Sequence, residues 1–109
     1  MRRLLADCTT SSGNTRDCET ALIFAAAMGS VELVQALLDR GADINAETNI
    51  GQTALMLASA NNHQRVVVAL LDRGADINAK TNLGATALSL AVGQHHRAIA
   101  QLLRARGAE

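Results

Sequence analysis

Histidine and cysteine are, with carboxylates, the side chains that bind zinc in proteins, and this sequence places two histidines side by side. His95 and His96 are adjacent, and Cys18 is the other residue that could join them as a ligand. Adjacent histidines point in different directions on a helix, and no carboxylate or second cysteine stands at the spacing that a zinc site needs. The sequence therefore predicts no metal site, and no cofactor.

The two cysteines, Cys8 and Cys18, could in principle form a redox pair. Nine residues separate them, so they do not make the Cys-x-x-Cys motif of redox-active thiols. Two cysteines also do not make the disulfide framework of a small secreted domain. We expect two free thiols in a reducing compartment, so that a reductant changes neither stability nor monomer mass.

A Ser/His/Asp arrangement could be assembled from Ser59, His63 and Asp72. Such trios occur by chance in most chains, and no nucleophile-elbow motif accompanies this one. Gly-rich loops of the kind that hold phosphates are missing from the sequence as well. These observations predict a protein that is not an enzyme.

Composition limits the class of protein further. The chain of 109 residues is one domain by length, and 49% of it is hydrophobic although Phe24 is its single aromatic residue. Ala, Leu, Ile and Val must then form the core, and Ala and Leu favour helices. Ten basic and ten acidic residues balance, which argues against a nucleic-acid partner. With no long apolar run and no signal peptide, we expect no membrane partner and a cytoplasmic location.

The sequence repeats itself with a period of 33 residues. Residues 51–55 (GQTAL) resemble residues 84–88 (GATAL) and residues 18–22 (CETAL), which lie one period after and before them. Residues 37–46 recur unchanged at 70–79. Independent segments that repeat at one spacing, without gaps, predict a repeat architecture.

Each repeat contains two apolar segments with helical character. In the second copy, Thr53 is a candidate N-cap for the first helix, which Asn61-Asn62 ends. A second helix follows, and Gly74 stands where a left-handed C-terminal cap is usual. Asp76 begins a turn in which its side chain can bond the neighbouring backbone. The unit is therefore helix, turn, helix and a hairpin-like loop, and such units are stable only when stacked.

This pattern resembles the ankyrin repeat family. Residues 53–58 (TALMLA) and 86–91 (TALSLA) stand where the family usually has Thr-Pro-Leu-His-x-Ala, and residues 70–78 (LLDRGADIN) match its second-helix ending and turn. Ala replaces the usual Pro, and the usual His is Ile23, Met56 or Ser89. Ala can start a helix, so the resemblance implies an all-α solenoid of stacked helix–turn–helix units with hairpin-like loops.

The register of the repeat predicts the organisation of the chain. We expect a partial N-terminal repeat and loop at 1–17, full repeats at 18–50 and 51–83, and a C-terminal capping repeat at 84–109. Residues 9–17 are polar and are predicted to be a loop. Arg104 occupies a position that is Leu in both full repeats, which suits an outer face with no following repeat.

The resemblance implies that the chain binds a partner protein or peptide in the concave groove that the loop tips and first helices line. It therefore implies a non-catalytic scaffold or interaction module. Matching repeats differ mainly at the loop tips and on the first helices, and positions that differ between repeats are not required for the fold. By register, Glu19 and Ala27 of the first repeat fall in this set. The predicted contact residues are Met28, Asn49, Ile50, Gln52, Asn61, Asn82, Leu83, Ala85 and Gln94. This surface is mostly neutral with exposed apolar residues, which suits a protein partner.

An alternative function is structural, with the chain acting as a self-associating fragment of a longer ankyrin array. The half helix expected at 1–7 can cover little of the first full repeat, and burying one large apolar side chain is worth about 1.5–3 kcal/mol. Four residues there need cover: Leu22, Phe24, Leu33 and Leu37. We therefore expect a two-fold homodimer through the N-terminal end, since such a contact closes on itself. The opposite end should be solvated and inert, because it carries Arg97, Gln101 and Arg104.

Overall fold

The structure, a computed structural model, describes residues 15–108. This part of the chain contains six helices and no strands. The all-α, helix–turn–helix prediction is confirmed. The helices are α1 (Thr15–Met28), α2 (Val31–Asp39), α3 (Ala54–Ala60), α4 (Gln64–Asp72), α5 (Ala87–Gly93) and α6 (Arg97–Ala105).

Threonine side chains start the short inner helices α3 and α5. Thr53 is extended, and its hydroxyl accepts a hydrogen bond from the backbone N–H of Met56 at 3.3 Å. Thr86 does the same for Ser89 at 3.1 Å, and the Ser89 hydroxyl accepts from the Thr86 backbone N–H at 2.8 Å. Each bond satisfies a donor that the first turn of a helix leaves unpaired. The N-cap role predicted for Thr53 is confirmed.

Helix α1 begins earlier than its counterparts. The structure places Thr15 to Asp17 in the helix, so the prediction of a loop through residue 17 is wrong for these three residues, while residues 9–14 lie outside the described part. In the later units a glycine with positive φ, Gly51 or Gly84, turns the chain just before the capping threonine. Cys18 stands at that position in the first unit and has no positive φ, so nothing there interrupts the helix.

The outer helices end as their sequence predicts. Gly74 follows α4 with a φ of 91°, and the N–H of Ala75 donates to the carbonyl of Leu70 at 3.0 Å, which closes the last turn. The Asp76 carboxylate then accepts from the Asn78 N–H at 3.1 Å and holds the following turn. A helix end and a tight turn thus carry the chain from each outer helix towards the next inner one.

The helices form two rows. In the inner row α3 packs between α1 and α5, and in the outer row α4 packs between α2 and α6. Leu55 of α3 is buried at the centre of the inner row, and alanines beside it let the helices approach closely. The core between the rows is completed by residues of the outer helices: Val34, Leu37, Val66, Val67, Leu70, Ile99 and Leu103.

Polar contacts also join consecutive units along the outer surface. Arg73 pairs with Asp39 at 2.6 Å, and Arg106 pairs with Asp72 at 3.2 Å. All four side chains are more than a third exposed, so each pair contributes well under about 1 kcal/mol to stability. These pairs help to set the register between units, while the apolar core supplies the stability.

The first unit is better covered than the sequence suggests. Leu22 and Leu37, two of the residues expected to lack cover, are buried. Leu33 is 40% exposed, whereas Val66 and Ile99 at the same position of the later units are fully buried. At the other end of the stack, the side chains expected to be solvated are indeed exposed: Arg97, Gln101 and Arg104.

Cys18 is disulfide-bonded in the structure, so the prediction of a free thiol at this position is wrong. Sequence spacing was the basis of that prediction, but a disulfide depends on the distance between two Cα atoms in space. The chain has one other cysteine, Cys8, which lies outside the described residues. The free-thiol argument for a reducing compartment is thereby lost.

Ser59 is the weak point of the inner row. Its side chain is fully buried in α3, and its hydroxyl has no hydrogen-bond partner. Ala26 occupies the same repeat position in α1, so an alanine fits the site. A buried polar group without a partner lowers stability by about 1–3 kcal/mol.

We expect Ser59→Ala to raise the free energy of unfolding by about 1 kcal/mol, because it removes the unpaired hydroxyl and leaves only a small void. Urea denaturation measures the change. Ser89→Ala is the matched control, since the Ser89 hydroxyl bonds the helix start, and there we expect a loss of about 0.5–1 kcal/mol. A lower stability for Ser59→Ala would show that its hydroxyl has a partner in solution.

Candidate functional site

An open cavity of about 650 Å³ lies between α1, the loop after α2 and the neighbouring helix α3. Its apolar wall is formed by Ile23, Phe24, Ala27 and Leu57, and Phe24 is 64% exposed. The polar residues around it are Glu19, Thr20, Glu47, Thr48 and Asn49. Within the part of the chain that the structure describes, the cavity therefore combines exposed apolar surface with two carboxylates and no basic side chain.

The loop tips beside the cavity are held by their own backbone. In the first tip the Thr48 N–H donates to the Gln52 carbonyl at 2.9 Å, and the Thr48 hydroxyl accepts from the Gln52 N–H at 3.1 Å. Gly51 turns the chain between them with a φ of 88°. The second tip repeats this arrangement from Thr81. Because the tips are cross-bonded, they present their side chains from a fixed backbone.

Consecutive tips are also bonded to each other. The Asn82 backbone N–H donates to the Ile50 carbonyl at 3.0 Å, and its side-chain amide donates to the Asn49 carbonyl at 3.2 Å. Similarly, the Asn61 amide donates to the Ala27 carbonyl at 3.1 Å. Asn61 and Asn82 were predicted to contact a partner, and both are exposed, but they also have this structural role between units.

The other predicted contact residues differ in exposure. The exposed fraction is 97% for Leu83, 64% for Met28 and 52% for Ile50, which is high for large apolar side chains. Asn49 is exposed at the cavity, and Gln94 is exposed at the end of α5. Gln52 and Ala85 are half-buried and offer less surface. Of the nine predicted contact residues, Asn49 lines the cavity, while the remainder lie elsewhere on the inner helices and tips. Glu19 and Ala27, which the register also placed among the varying positions, line the cavity as well.

His63 and His96 stand at the same position of successive repeats, and the structure explains this placement. The Nε2 atom of His63 bonds the Ala27 carbonyl at 2.9 Å, and that of His96 bonds the Ala60 carbonyl at 3.0 Å. Each histidine thus ties its unit to the preceding inner helix. Neither histidine is held by Ser59, whose hydroxyl has no partner, so the Ser/His/Asp trio is not assembled. Over residues 15–108 no three His, Cys, Asp or Glu side chains cluster as a metal site.

Sequence reasoning missed the most distinctive part of the cavity. Phe24 was expected to need cover, yet it forms an exposed wall of the cavity. Its position is Leu in the other inner helices, so the sequence pattern made it resemble a core residue. Glu47 could have been found, because residues 37–50 and 70–83 differ at two positions alone, Glu47/Lys80 and Ile50/Leu83.

Comparison with known proteins places this architecture in a family. No helix within the described residues is long and apolar enough to cross a membrane. No curated protein sequence matches the chain. The family model described as ankyrin repeats (3 copies) matches residues 1–81 and 47–109, so that together the matches cover the chain. The chain belongs to the ankyrin repeat family, whose members are in general protein–protein interaction modules and typically not catalysts.

Proposed function

We propose that this protein binds a partner protein through the groove formed by its inner helices and loop tips. The observation that carries the proposal is the group of exposed large apolar side chains there: Phe24, Met28, Ile50 and Leu83. Single exposed apolar residues are common, but four on neighbouring inner helices and tips, one of them in the wall of a cavity, suit a protein interface. The cross-bonded tips add rigidity, which limits the entropy lost on binding.

We also propose that the protein is not a catalyst. The buried hydroxyl of Ser59 is unreachable by a substrate, and both repeat-register histidines are bonded to backbone carbonyls. The two histidines hold units together rather than act on a bound molecule. We propose a non-catalytic module in which Met28, Asn49, Ile50 and Leu83 are the main contacts on the tips and inner helices.

Replacing both tip residues, in the double variant Ile50→Glu/Leu83→Glu, should weaken partner binding at least about tenfold, because it buries charge in an apolar interface. Stability should change by less than about 0.5 kcal/mol, since the two side chains are more than half exposed. The measurement is capture of partners from native-host lysate on immobilised protein, with mass spectrometry, followed by titration of the purified partner.

Leu33→Glu is the matched control, because Leu33 is an exposed leucine on the outer helix α2. It should retain the partner that the double variant loses. Equal capture by the wild type and the double variant would show that the tips do not bind the partner. Unfolding of the double variant would show that the tips belong to the core.

Self-association is a second candidate function, and the exposure of Leu33 favours it. This residue is 40% exposed at a position that is fully buried in the two later units. We propose that two copies meet through this N-terminal face as a homodimer. Because Leu22 and Leu37 are buried, the apolar area available is smaller than the sequence suggests, and the association should be weak.

Sedimentation equilibrium over a wide concentration range tests this second candidate. We expect reversible dimers at high concentration and a shift to monomer in Leu33→Glu, since a charge at the centre of a two-fold contact meets its own copy. The tip variant Ile50→Glu/Leu83→Glu should dimerise as the wild type does. A strict monomer at the highest concentration would exclude the homodimer.

A further inference from the structure

We infer that the cavity beside Phe24 takes a linear partner segment in which a bulky apolar side chain is flanked by Lys or Arg. The inference rests on the proposed function and names the chemistry of the partner at one end of the groove. The apolar side chain would occupy the cavity, and the cation would lie against Glu19 and Glu47.

The size and wall of the cavity support the apolar part. Its volume of about 650 Å³ is within the range of pockets that hold small molecules or large side chains. Phe24 is 64% exposed on one wall, and the half-buried side chains of Ile23 and Leu57 continue the same apolar surface. An inserted apolar side chain would remove this surface from water, which is the main source of affinity at such a site.

The charges around the cavity support the cationic part. Glu19 and Glu47 both line it, and among the side chains of residues 18–108, which the structure describes, no Lys, Arg or His does. A Lys or Arg of the partner segment would therefore meet two carboxylates without competition from a cation among the described residues. The opposite arrangement, an acidic segment, would place like charges together and is disfavoured.

Comparison between the repeats shows that the pair of carboxylates occurs in the first unit and not at the same positions of the later units. At the position of Glu19, the second and third units have Gln52 and Ala85. At the position of Glu47, the second unit has Lys80, which is exposed. The groove is thus acidic at the first unit and basic at the next tip. This reversal would attract a cation to one end and repel it from the other, and so fix the direction in which the segment lies.

The test uses the whole chain and a displayed library of random peptides of about twelve residues. Selection on the wild type should enrich peptides in which Leu, Ile, Met or Phe stands next to Lys or Arg. The enriched peptide is then synthesised and titrated against Glu19→Gln/Glu47→Gln, and we expect its affinity to fall about fivefold or more. Lys80→Gln is the matched control at the same repeat position, and it should leave the affinity equal or higher.

Two further measurements locate the peptide and its charge. Phe24→Ala should lower the affinity for the peptide as strongly as Glu19→Gln/Glu47→Gln does, because it removes the cavity wall. Raising the salt concentration should weaken binding to the wild type and have little effect on binding to Glu19→Gln/Glu47→Gln. A folded spectrum for every variant excludes unfolding as the cause.

The outcomes separate this inference from the function on which it rests. Enriched peptides without basic residues, or peptides indifferent to Phe24→Ala, overturn the inference. Failure to enrich any peptide also overturns it, because a linear segment is what it requires. In each case a native partner that is lost from Ile50→Glu/Leu83→Glu would still support the groove as the binding surface. If no such peptide is enriched and Ile50→Glu/Leu83→Glu still binds the native partner, both the cavity proposal and the groove proposal are wrong.

Discussion

Gly51→Ala is expected to destabilise the protein by about 3 kcal/mol, whereas the same change at Gly84 should cost about 1 kcal/mol. Both glycines have nearly the same backbone conformation, with φ of 88° and 86°, so an alanine is strained by about 1–2 kcal/mol at either position. The two sites differ in their surroundings. A Cβ atom at Gly51 would lie 2.9 Å from the Cα atom of Thr81, while nothing lies within 4 Å of one at Gly84.

The additional cost at Gly51 comes from the contact between neighbouring tips. The same Cβ atom would lie 3.0 Å from the backbone nitrogen of Asn82, which donates a hydrogen bond to the Ile50 carbonyl. Backbone atoms cannot move aside as a flexible side chain can, so the second tip must shift and strain this bond. Urea denaturation of both variants measures the difference, and equal destabilisation would mean that the tips are not in contact in solution.

The sequence predicted the parts of the fold that depend on local chemistry. A capping threonine at 53, a left-handed glycine at 74 and an aspartate turn at 76 each act within one or two turns of chain, and the structure has all three. The 33-residue period then defines the stacking, because each unit must bury its apolar face against the next. Helix order and core composition were predictable for this reason.

Features that depend on one particular unit could not be predicted in the same way. Phe24 shares its repeat position with Leu57 and Leu90, and periodicity does not show which side of a helix a neighbouring unit leaves open. The disulfide at Cys18 and the early start of α1 could not be predicted for a related reason. The first unit departs from the repeat there, with Cys18 in place of a glycine, and register carries no information where the repeat is broken.

The sequence predicted the part of the site that follows from the repeat, which is the loop tips, but not the cavity. The tip residues Ile50 and Leu83 were identified because they vary within a conserved loop, and both are exposed in the structure. Glu19 was identified as a varying position, but the cavity as a whole was missed because its members come from three elements: Glu19 and Phe24 from α1, Glu47 from the loop after α2, and Leu57 from α3. Contacts between units decide which of these surfaces meet, and those contacts are a property of packing rather than of local sequence.

Leu55, in the middle of the stack, should be more sensitive to truncation than Leu88, which stands at the same repeat position in the last unit. Leu55 is 2% exposed in α3, which packs between α1 and α5, whereas Leu88 at the same position of α5 is half-buried. Leu55→Ala should lower the free energy of unfolding by about 3 kcal/mol, since it removes apolar contacts and leaves a cavity that flanking helices cannot fill. Leu88→Ala should lower it by about 1 kcal/mol, because part of that side chain is already in water.

The matched pair separates burial from helix propensity. Both changes are Leu to Ala in seven-residue helices that begin with a threonine cap, so any effect of propensity or capping is the same in the two variants. The remaining difference of about 2 kcal/mol then measures the contribution of having a unit on each side. Urea midpoints at an unchanged m-value give this difference directly. Equal losses would mean that α5 is covered in solution as fully as α3, and the end of the stack beside Leu88 would then not be an open face.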